Sequence, residues 1–241
     1  MTAPENASKR QTNTRVAPTP GEDGTPRTST RQRVIDAAIE CILERGFYRA
    51  SSNEIARRAG FTWGAIQRQF GTREAVLSEA YRHGTKRLLK VLQEAEITGD
   101  TAEERIDSLF EALRSFYDRP ELLAYLQIVM NFVSDPATSQ DTVATIHELE
   151  DEAGRIEHSL VEQVFGRRIR SADRPIANVI YFTARDFWIG KRIEEVTATA
   201  TRGLVERLAS LDDERRLLVK ALTPLVDAAV VERRASRLQL D

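Results

Sequence analysis

Apolar residues recur at helical spacing in three short stretches near the start of the chain. They return every three or four positions over 29–45, 51–59 and 62–70, which predicts three amphipathic helices. Each stretch begins with a residue type that caps helix N-termini: Ser29, Ser51 and Thr62. Only Gly60 and Phe61 separate the second stretch from the cap of the third, and a turn this short holds two helices at a steep angle. The pattern therefore predicts a helix-turn-helix.

The remaining chain also has helical periodicity, and no stretch alternates as a strand does. After a break at 71–72, a long amphipathic helix steps through a row of mostly apolar residues: Leu77, Tyr81, Gly84, Leu88 and Leu92. Further helices are predicted at 102–118, 120–133, 139–165, 174–195, 199–209 and 212–236. Pro224 lies inside the last of these and predicts a kink, because proline lacks a backbone N–H. The predicted fold class is all-α.

Composition and charge distinguish an N-terminal arm, a basic segment and a larger acidic segment. Residues 1–28 contain half of the eight prolines and have no apolar period, so they are predicted to form a disordered, solvated arm. Residues 27–90 hold thirteen Lys and Arg against six Asp and Glu, whereas residues 91–241 hold 19 against 28. A basic piece joined to a larger acidic one indicates a polyanionic partner for the first piece and a different role for the second.

The scarcity of reactive residues limits the chemistry that the chain can carry. Cys41 is the single cysteine, and His83, His147 and His158 have no ligand-like spacing, so no metal site, disulfide or cofactor is predicted. No nucleophile is paired with a base, which makes an enzyme the weaker class of function. No apolar run is long enough for a membrane span or a signal peptide, and we expect a cytoplasmic protein.

Residues 31–81 resemble the N-terminal DNA-binding domain of the TetR family of bacterial transcriptional repressors. The resemblance covers about a fifth of the chain and rests on three pieces in combination. They are an Ala-Ala helix that ends in ERGF, the core S-x-x-EIA-x-x-AGF, and the ending G-x-I-x-x-x-F-x-x-R-E. A helix-turn-helix pattern alone would be far less specific, because similar helix pairs occur in many all-α folds.

The resemblance implies an architecture and a function. The expected domains are the disordered arm at 1–28, a three-helix DNA-binding domain at 29–75, and an all-helical effector-binding and dimerisation domain at 76–241. The expected function is that of a homodimeric repressor that leaves a double-stranded, palindromic operator when a small molecule binds. The C-terminal part carries little similarity to the family, so the identity of the effector does not follow from it.

Matching by position suggests which residues contact DNA. In the family, the positions of Thr62 to Ala65 form the cap and first turn of the recognition helix, and Gln67 replaces a Tyr that commonly touches phosphate. Arg73 matches a basic residue that meets backbone phosphate. The full set of DNA-contact candidates is Ser51, Asn53, Thr62, Trp63, Gly64, Ala65, Gln67, Arg68 and Arg73. Two alternatives remain open, since Trp63 can also fold back on the domain and the pair Arg57 and Arg58 can form only a solvated face.

Large apolar residues in the C-terminal part indicate an apolar or amphipathic effector, although most of them fit an ordinary core equally well. The candidate ligand contacts are Phe110, Tyr117, Tyr125, Phe132, Tyr181 and Arg185. Two apolar stripes at 174–195 and 212–236 predict a four-helix dimer interface. These stripes consist of Ile176, Val179, Ile180, Phe187, Leu218, Leu222, Leu225 and Ala229.

Arg185 and Asp186 interrupt an apolar run, and neither has an opposite charge three or four residues away. Because adjacent helical residues do not face each other, each is predicted to need a partner on another helix or subunit, with solvent or a ligand's polar head as alternatives.

Two further hypotheses compete with a ligand-responsive repressor. One is an enzyme. The other is a regulator without an effector, or a protein that coats DNA without sequence preference. Competition with random DNA discriminates the last case, because specific regulators prefer their operators by ~10³ or more.

Overall fold

The computed structural model describes residues 29–201 and 211–238, and this part of the chain is helical and contains no strand. Its α-helices are α1 Thr30–Arg45, α2 Ser52–Ala59, α3 Trp63–Phe70, α4 Arg73–Gln93, α5 Ala102–Tyr117, α6 Glu121–Ser134, α7 Gln140–Phe165, α8 Arg174–Thr201 and α9 Leu211–Leu238. Short 3-10 turns occur at Phe47–Arg49 and Ser171–Asp173. The predicted all-α fold class is confirmed. The predicted arm at 1–28 lies outside the described residues.

The first three helices begin where the capping residues predict. The side-chain oxygens of Ser29, Ser51 and Thr62 each accept a hydrogen bond from the backbone N–H three residues later, at 3.1 to 3.3 Å. Gly60 ends α2 with φ at 74°, a left-handed conformation that favours glycine. The Phe61 N–H then donates to the Ala56 carbonyl at 2.9 Å. These local bonds fix the turn between α2 and α3.

The core of this domain is formed by α1, the inner faces of α2 and α3, and the start of α4. Ile35, Ile55 and Ile66 are almost fully buried. Phe61 and Phe70, which the spacing places in the core, are only half-buried. Arginines of α1 cover both rings: the guanidinium carbon of Arg33 lies 4.7 Å from the centre of the Phe61 ring, and that of Arg31 lies 4.8 Å from the Phe70 ring.

The helices from α4 onward form the second part of the fold. Helix α4 packs against α1 at one end and against α5, α6 and α7 along its length, so it joins the two parts. Helices α8 and α9 both pack on α5. Helix α8 continues to Thr201, past the break predicted after 195, while the rest of the predicted helix at 199–209 lies outside the described residues. Helix α9 is continuous through Pro224.

The residues of the predicted dimer stripes do not all face outward. Ile180, Leu222 and Ala229 are buried within the single chain, because the faces of α8 and α9 that carry them pack inward. Val179 and Leu225 are exposed, as a dimer contact requires. The structure adds further exposed apolar residues on the outer faces of the same helices: Phe182, Ile193, Val196 and Leu217.

Candidate nucleic-acid interface and effector cavity

The cap and outer face of α3 form an exposed polar surface of the first domain. Thr62, Gly64 and Ala65 are exposed at the start of the helix, and Gln67 and Arg68 follow on its next turn. The side chains of Gln67 and Arg68 make no hydrogen bond or ion pair with the described residues. A helix with an exposed first turn and uncommitted donors can enter a major groove and hydrogen-bond to base edges and phosphates.

Trp63 is neither fully exposed toward DNA nor fully folded back on the domain, the two alternatives that its sequence context allows. The indole packs against the hydrophobic core, yet the residue is only half-buried. Helix α2 packs against α3, and Ser51 and Asn53 at the start of α2 are exposed. The Ser51 hydroxyl oxygen is engaged in capping α2. DNA contacts by all of these residues stay a prediction.

Arg73 has a different environment from the one predicted for a phosphate contact. Its Nε donates to the Ala50 carbonyl at 2.7 Å and its Nη2 donates to the Phe47 carbonyl. The guanidinium carbon lies 4.6 Å from the centre of the Phe47 ring, and burial lowers the pKa of Arg73. The side chain therefore ties the start of α4 to the segment between α1 and α2.

Tyr48 and Arg49 are exposed residues that the sequence pattern did not indicate. Tyr48 is 84% exposed, and the exposed Arg49 has no ion-pair partner among the described residues. Both belong to the 3-10 turn that Arg73 holds through the Phe47 carbonyl. Their exposure depends on this long-range contact, which helical periodicity does not reveal.

The two arginines of α2 pair with carboxylates of the same domain. Arg57 donates two hydrogen bonds to Glu54, through Nε at 3.1 Å and Nη2 at 2.6 Å. Arg58 pairs with Glu44 and, at 3.3 Å, with Glu40. The Glu44 carboxylate is hydrogen-bonded by Arg58, which lowers its pKa. These pairs favour the interpretation of a solvated face over that of a DNA contact.

A cavity of about 290 Å³ lies between helices α4 to α8. Its wall is largely aromatic and aliphatic, with a few polar groups. It is lined by Tyr81, Thr85, Leu88, Phe116, Tyr117, Leu122, Tyr125, Leu126, Val129, Glu150, Ala153, Glu157, Arg185 and Ile189. A concave, mainly apolar site with a small number of polar groups is typical of small-molecule binding.

Three of the predicted ligand residues line this cavity and two do not approach it. Tyr117, Tyr125 and Arg185 belong to its wall, and the Tyr181 hydroxyl lies 3.0 Å from that of Tyr117. Phe110, in contrast, is fully buried between α5 and α8, where its carbonyl accepts a hydrogen bond from the Trp188 indole.

Phe132 also belongs to a packing contact and not to the cavity. It is almost fully buried, and its ring meets the Phe47 ring edge-on with 5.5 Å between centres. It therefore joins α6 to the segment between α1 and α2. Phe110 and Phe132 do not line this cavity. Helical spacing does not distinguish a residue that faces a cavity from one that faces a neighbouring helix.

Two carboxylates of α7 face the cavity. The Tyr117 hydroxyl donates to Glu157 Oε1 at 3.2 Å, and the Tyr81 hydroxyl donates to Glu150 Oε1 at 2.7 Å. Burial raises the pKa of Glu157, while the hydroxyls of Tyr181 and Tyr117 act in the opposite direction. Neither residue was selected from the sequence, in which both are part of a long, highly charged helix.

Arg185 pairs with its neighbour in sequence, which corrects the prediction that both charges need partners elsewhere. Its Nε lies 2.8 Å from Asp186 Oδ1. The guanidinium carbon also lies 4.6 Å from the centre of the exposed Phe182 ring. The long arginine side chain can bend around the helix surface to reach an adjacent carboxylate, although the two Cβ atoms point in different directions.

Within the described ranges, no helix is long and apolar enough to cross a membrane, and no group of three or more acidic, His or Cys side chains could hold a metal ion.

Comparison with known proteins connects this architecture to a family. Residues 34–80 match the model of the bacterial regulatory proteins of the tetR family. The HTH-type transcriptional regulator SrpR of Pseudomonas putida is 29% identical over 133 residues, which are 55% of this chain and 53% of that protein. The uncharacterized HTH-type transcriptional regulator TtgW of the same species is 29% identical over 133 residues, or 84% of its length. The matched segment thus spans about half of one curated relative and most of the other.

The fold is also similar to that of the transcriptional regulator FadR from Bacillus subtilis, whose crystal structure is a complex with stearoyl-CoA. The TM-score is 0.52 at 16% identity, over 79% of this chain and 96% of that one. These findings support a TetR family transcriptional regulator, with the family match confined to residues 34–80. The family and the two curated relatives are regulators rather than enzymes, which confirms the prediction against catalysis.

Proposed function

We propose that the protein is a cytoplasmic, homodimeric repressor that binds a palindromic DNA operator through α3 and is released from it by a small molecule. The main support is the outer face of α3, where Gln67 and Arg68 are exposed and uncommitted. Two such helices, one from each protomer, would enter successive major grooves about one helical turn apart. A ligand that favours another separation of the two helices would weaken this fit.

Gln67 is expected to read bases and not only to hold the backbone. An operator selected from a random-sequence DNA library provides the specific ligand. Gln67→Ala should cost roughly 1–3 kcal/mol on this operator and leave the affinity for random DNA nearly unchanged, because amide contacts to base edges carry sequence information. Gln69→Ala is the matched control, since Gln69 is also exposed but lies on another face of α3. Equal losses on operator and random DNA for Gln67→Ala would contradict this placement of the reading residues.

The outer faces of α8 and α9 support the proposed dimer. Val179 is 48% exposed and Leu217 is 66% exposed, and both lie among other uncovered apolar side chains. A two-fold axis that brings the two helices of each protomer together would bury these residues against their symmetry mates. A contact of this kind would also fix the distance between the two recognition helices.

Val179→Arg is therefore expected to weaken the dimer at least about tenfold, because a two-fold axis would place both introduced charges in one apolar interface. Met130→Arg serves as the control: Met130 is 69% exposed but lies on α6 and not on α8 or α9. Light scattering should give twice the 27.2 kDa of one chain for the control and a lower mass for Val179→Arg. An unsubstituted chain that is monomeric and still binds the operator would contradict the proposal.

Helix α6 supports a connection between effector and DNA. Tyr125 and Leu126 line the cavity, and the next residue, Gln127, accepts a hydrogen bond from the Phe47 N–H at 3.1 Å. Phe47 begins the 3-10 turn Phe47–Arg49 of the first domain, and Arg73 at the start of α4 holds this turn through the Phe47 carbonyl. A ligand that moves α6 would therefore also move this turn. The stearoyl-CoA bound in the FadR structure is consistent with a ligand site inside the fold, but ligand chemistry is not transferable at 16% identity.

A further inference from the structure

The wall of the cavity carries more negative than positive charge. Glu150, Glu157 and Arg185 are the charged residues in its wall. The guanidinium of Arg185 is already paired with Asp186 at 2.8 Å and lies against Phe182, and both of these partners are on the exposed side of α8. Neither glutamate has a direct ion-pair partner, since no Lys, Arg or His among the described residues lies within 4.0 Å of their oxygens; the charge of Arg185 acts on Glu157 only from a greater distance, where it lowers the pKa of that carboxyl.

Neutral hydroxyls hold both carboxylates in place. Tyr81 donates to Glu150, and Tyr117 donates to Glu157. Tyr117 and Tyr181 are almost fully buried, so the group around Glu157 is sheltered from water more than that around the exposed Glu150. A carboxylate in a poorly solvated site attracts a positive charge more strongly than one in water. Glu157 is therefore the stronger of the two candidate anchors.

Besides the carboxylates, the cavity wall contains aromatic rings, which also attract cations. Tyr81, Phe116, Tyr117 and Tyr125 all line the cavity, and the Tyr81 and Tyr125 rings meet edge-on with 6.3 Å between centres. The negative face of an aromatic ring attracts ammonium groups, and rings grouped around a cavity are a known means of binding organic cations. The aliphatic part of the wall would receive an apolar body.

We propose that this cavity binds a small lipophilic cation, such as an alkylated aromatic amine, with its ammonium group at Glu157 and its apolar body against the rings of α4 to α6. This inference rests on the proposed role of the cavity as the effector site. A lipophilic anion is disfavoured, because the only cation in the wall is compensated by Asp186 and two carboxylates face the same space. The volume of about 290 Å³ limits the ligand to a small molecule.

The test compares three probes with one body and different heads: para-butylbenzylamine, para-butylbenzyl alcohol and para-butylbenzoate. Their affinities for the full chain without DNA are measured at neutral pH by isothermal titration calorimetry. The amine is expected to bind at least about tenfold more tightly than the alcohol, and the benzoate more weakly than the alcohol. Glu157→Gln should weaken amine binding about tenfold or more and change alcohol binding by less than about twofold.

The control variant is Glu148→Gln, because Glu148 is an exposed carboxylate of α7 that does not line the cavity. It should leave all three affinities unchanged. Tightest binding by the benzoate, unchanged amine binding in Glu157→Gln, or no binding of any probe up to roughly millimolar concentration would each overturn the proposed ligand class. Operator release is measured separately. Amine binding that does not release the operator would support the ligand class and contradict the effector role.

Discussion

Arg73→Met is expected to lower the free energy of unfolding by about 2–4 kcal/mol, although the family resemblance assigns this residue to DNA. The substitution removes two charge-assisted hydrogen bonds, to the carbonyls of Phe47 and Ala50, each worth about 1.5–3 kcal/mol at most. It also removes the cation above the Phe47 ring. Methionine retains much of the apolar stem, so the loss reports mainly on the guanidinium. Chemical denaturation followed by circular dichroism measures it.

Arg68→Met provides the contrast. Arg68 is exposed and has no partner among the described residues, so its replacement should leave stability within about 0.5 kcal/mol. It should weaken operator and random DNA alike and reduce the slope of log affinity against log salt by about one, as expected for a lost phosphate contact. If Arg73→Met proved as stable as the parent chain and only DNA binding fell, Arg73 would be a phosphate contact and its carbonyl bonds would be dispensable.

The helix-turn-helix could be predicted from the sequence because local interactions determine it. Ser51 and Thr62 cap helices through bonds that span three residues, and Gly60 supplies the conformation needed between them. Helical periodicity likewise identified most of the later helices. These features depend on residues close together in the chain, so a single sequence carries enough information to place them.

The positions that could not be predicted depend on contacts between distant helices. Phe132 has the residue type and spacing of a cavity wall, but it packs on Phe47, which lies far away in sequence. Glu157 has the pattern of a solvated helix face, but tyrosines of α5 and α8 shelter it. Inward-facing positions are recognisable from amphipathicity, whereas the choice between core and cavity depends on how the helices are arranged.

Gly84→Ala is expected to destabilise the fold by roughly 1–3 kcal/mol, even though alanine favours helices by ~1 kcal/mol over glycine. A Cβ atom at this position of α4 would lie 2.0 Å from the Tyr125 hydroxyl oxygen and 2.2 Å from the ring carbon that bears it. Tyr125 is almost fully buried, so its ring can give way by repacking α4 against α6, by moving into the cavity, or by moving into a cleft between α1, α4 and α6 that Gly84 and Tyr125 also line. The same substitution should therefore reduce ligand affinity about tenfold or more.

Gly154→Ala separates this clash from the general effect of replacing a helical glycine. Gly154 lies in α7, and a Cβ atom added there meets no atom within 4 Å, so this variant should gain up to about 1 kcal/mol. Adding Tyr125→Leu to Gly84→Ala removes the ring from the crowded position and should recover part of the lost stability, because less side-chain volume then competes for the space. Thermal denaturation of the parent chain and these three variants compares the effects. A Gly84→Ala chain as stable as Gly154→Ala, with unchanged affinity for the benzylamine probe, would show that Tyr125 does not hold α4 and α6 at this spacing.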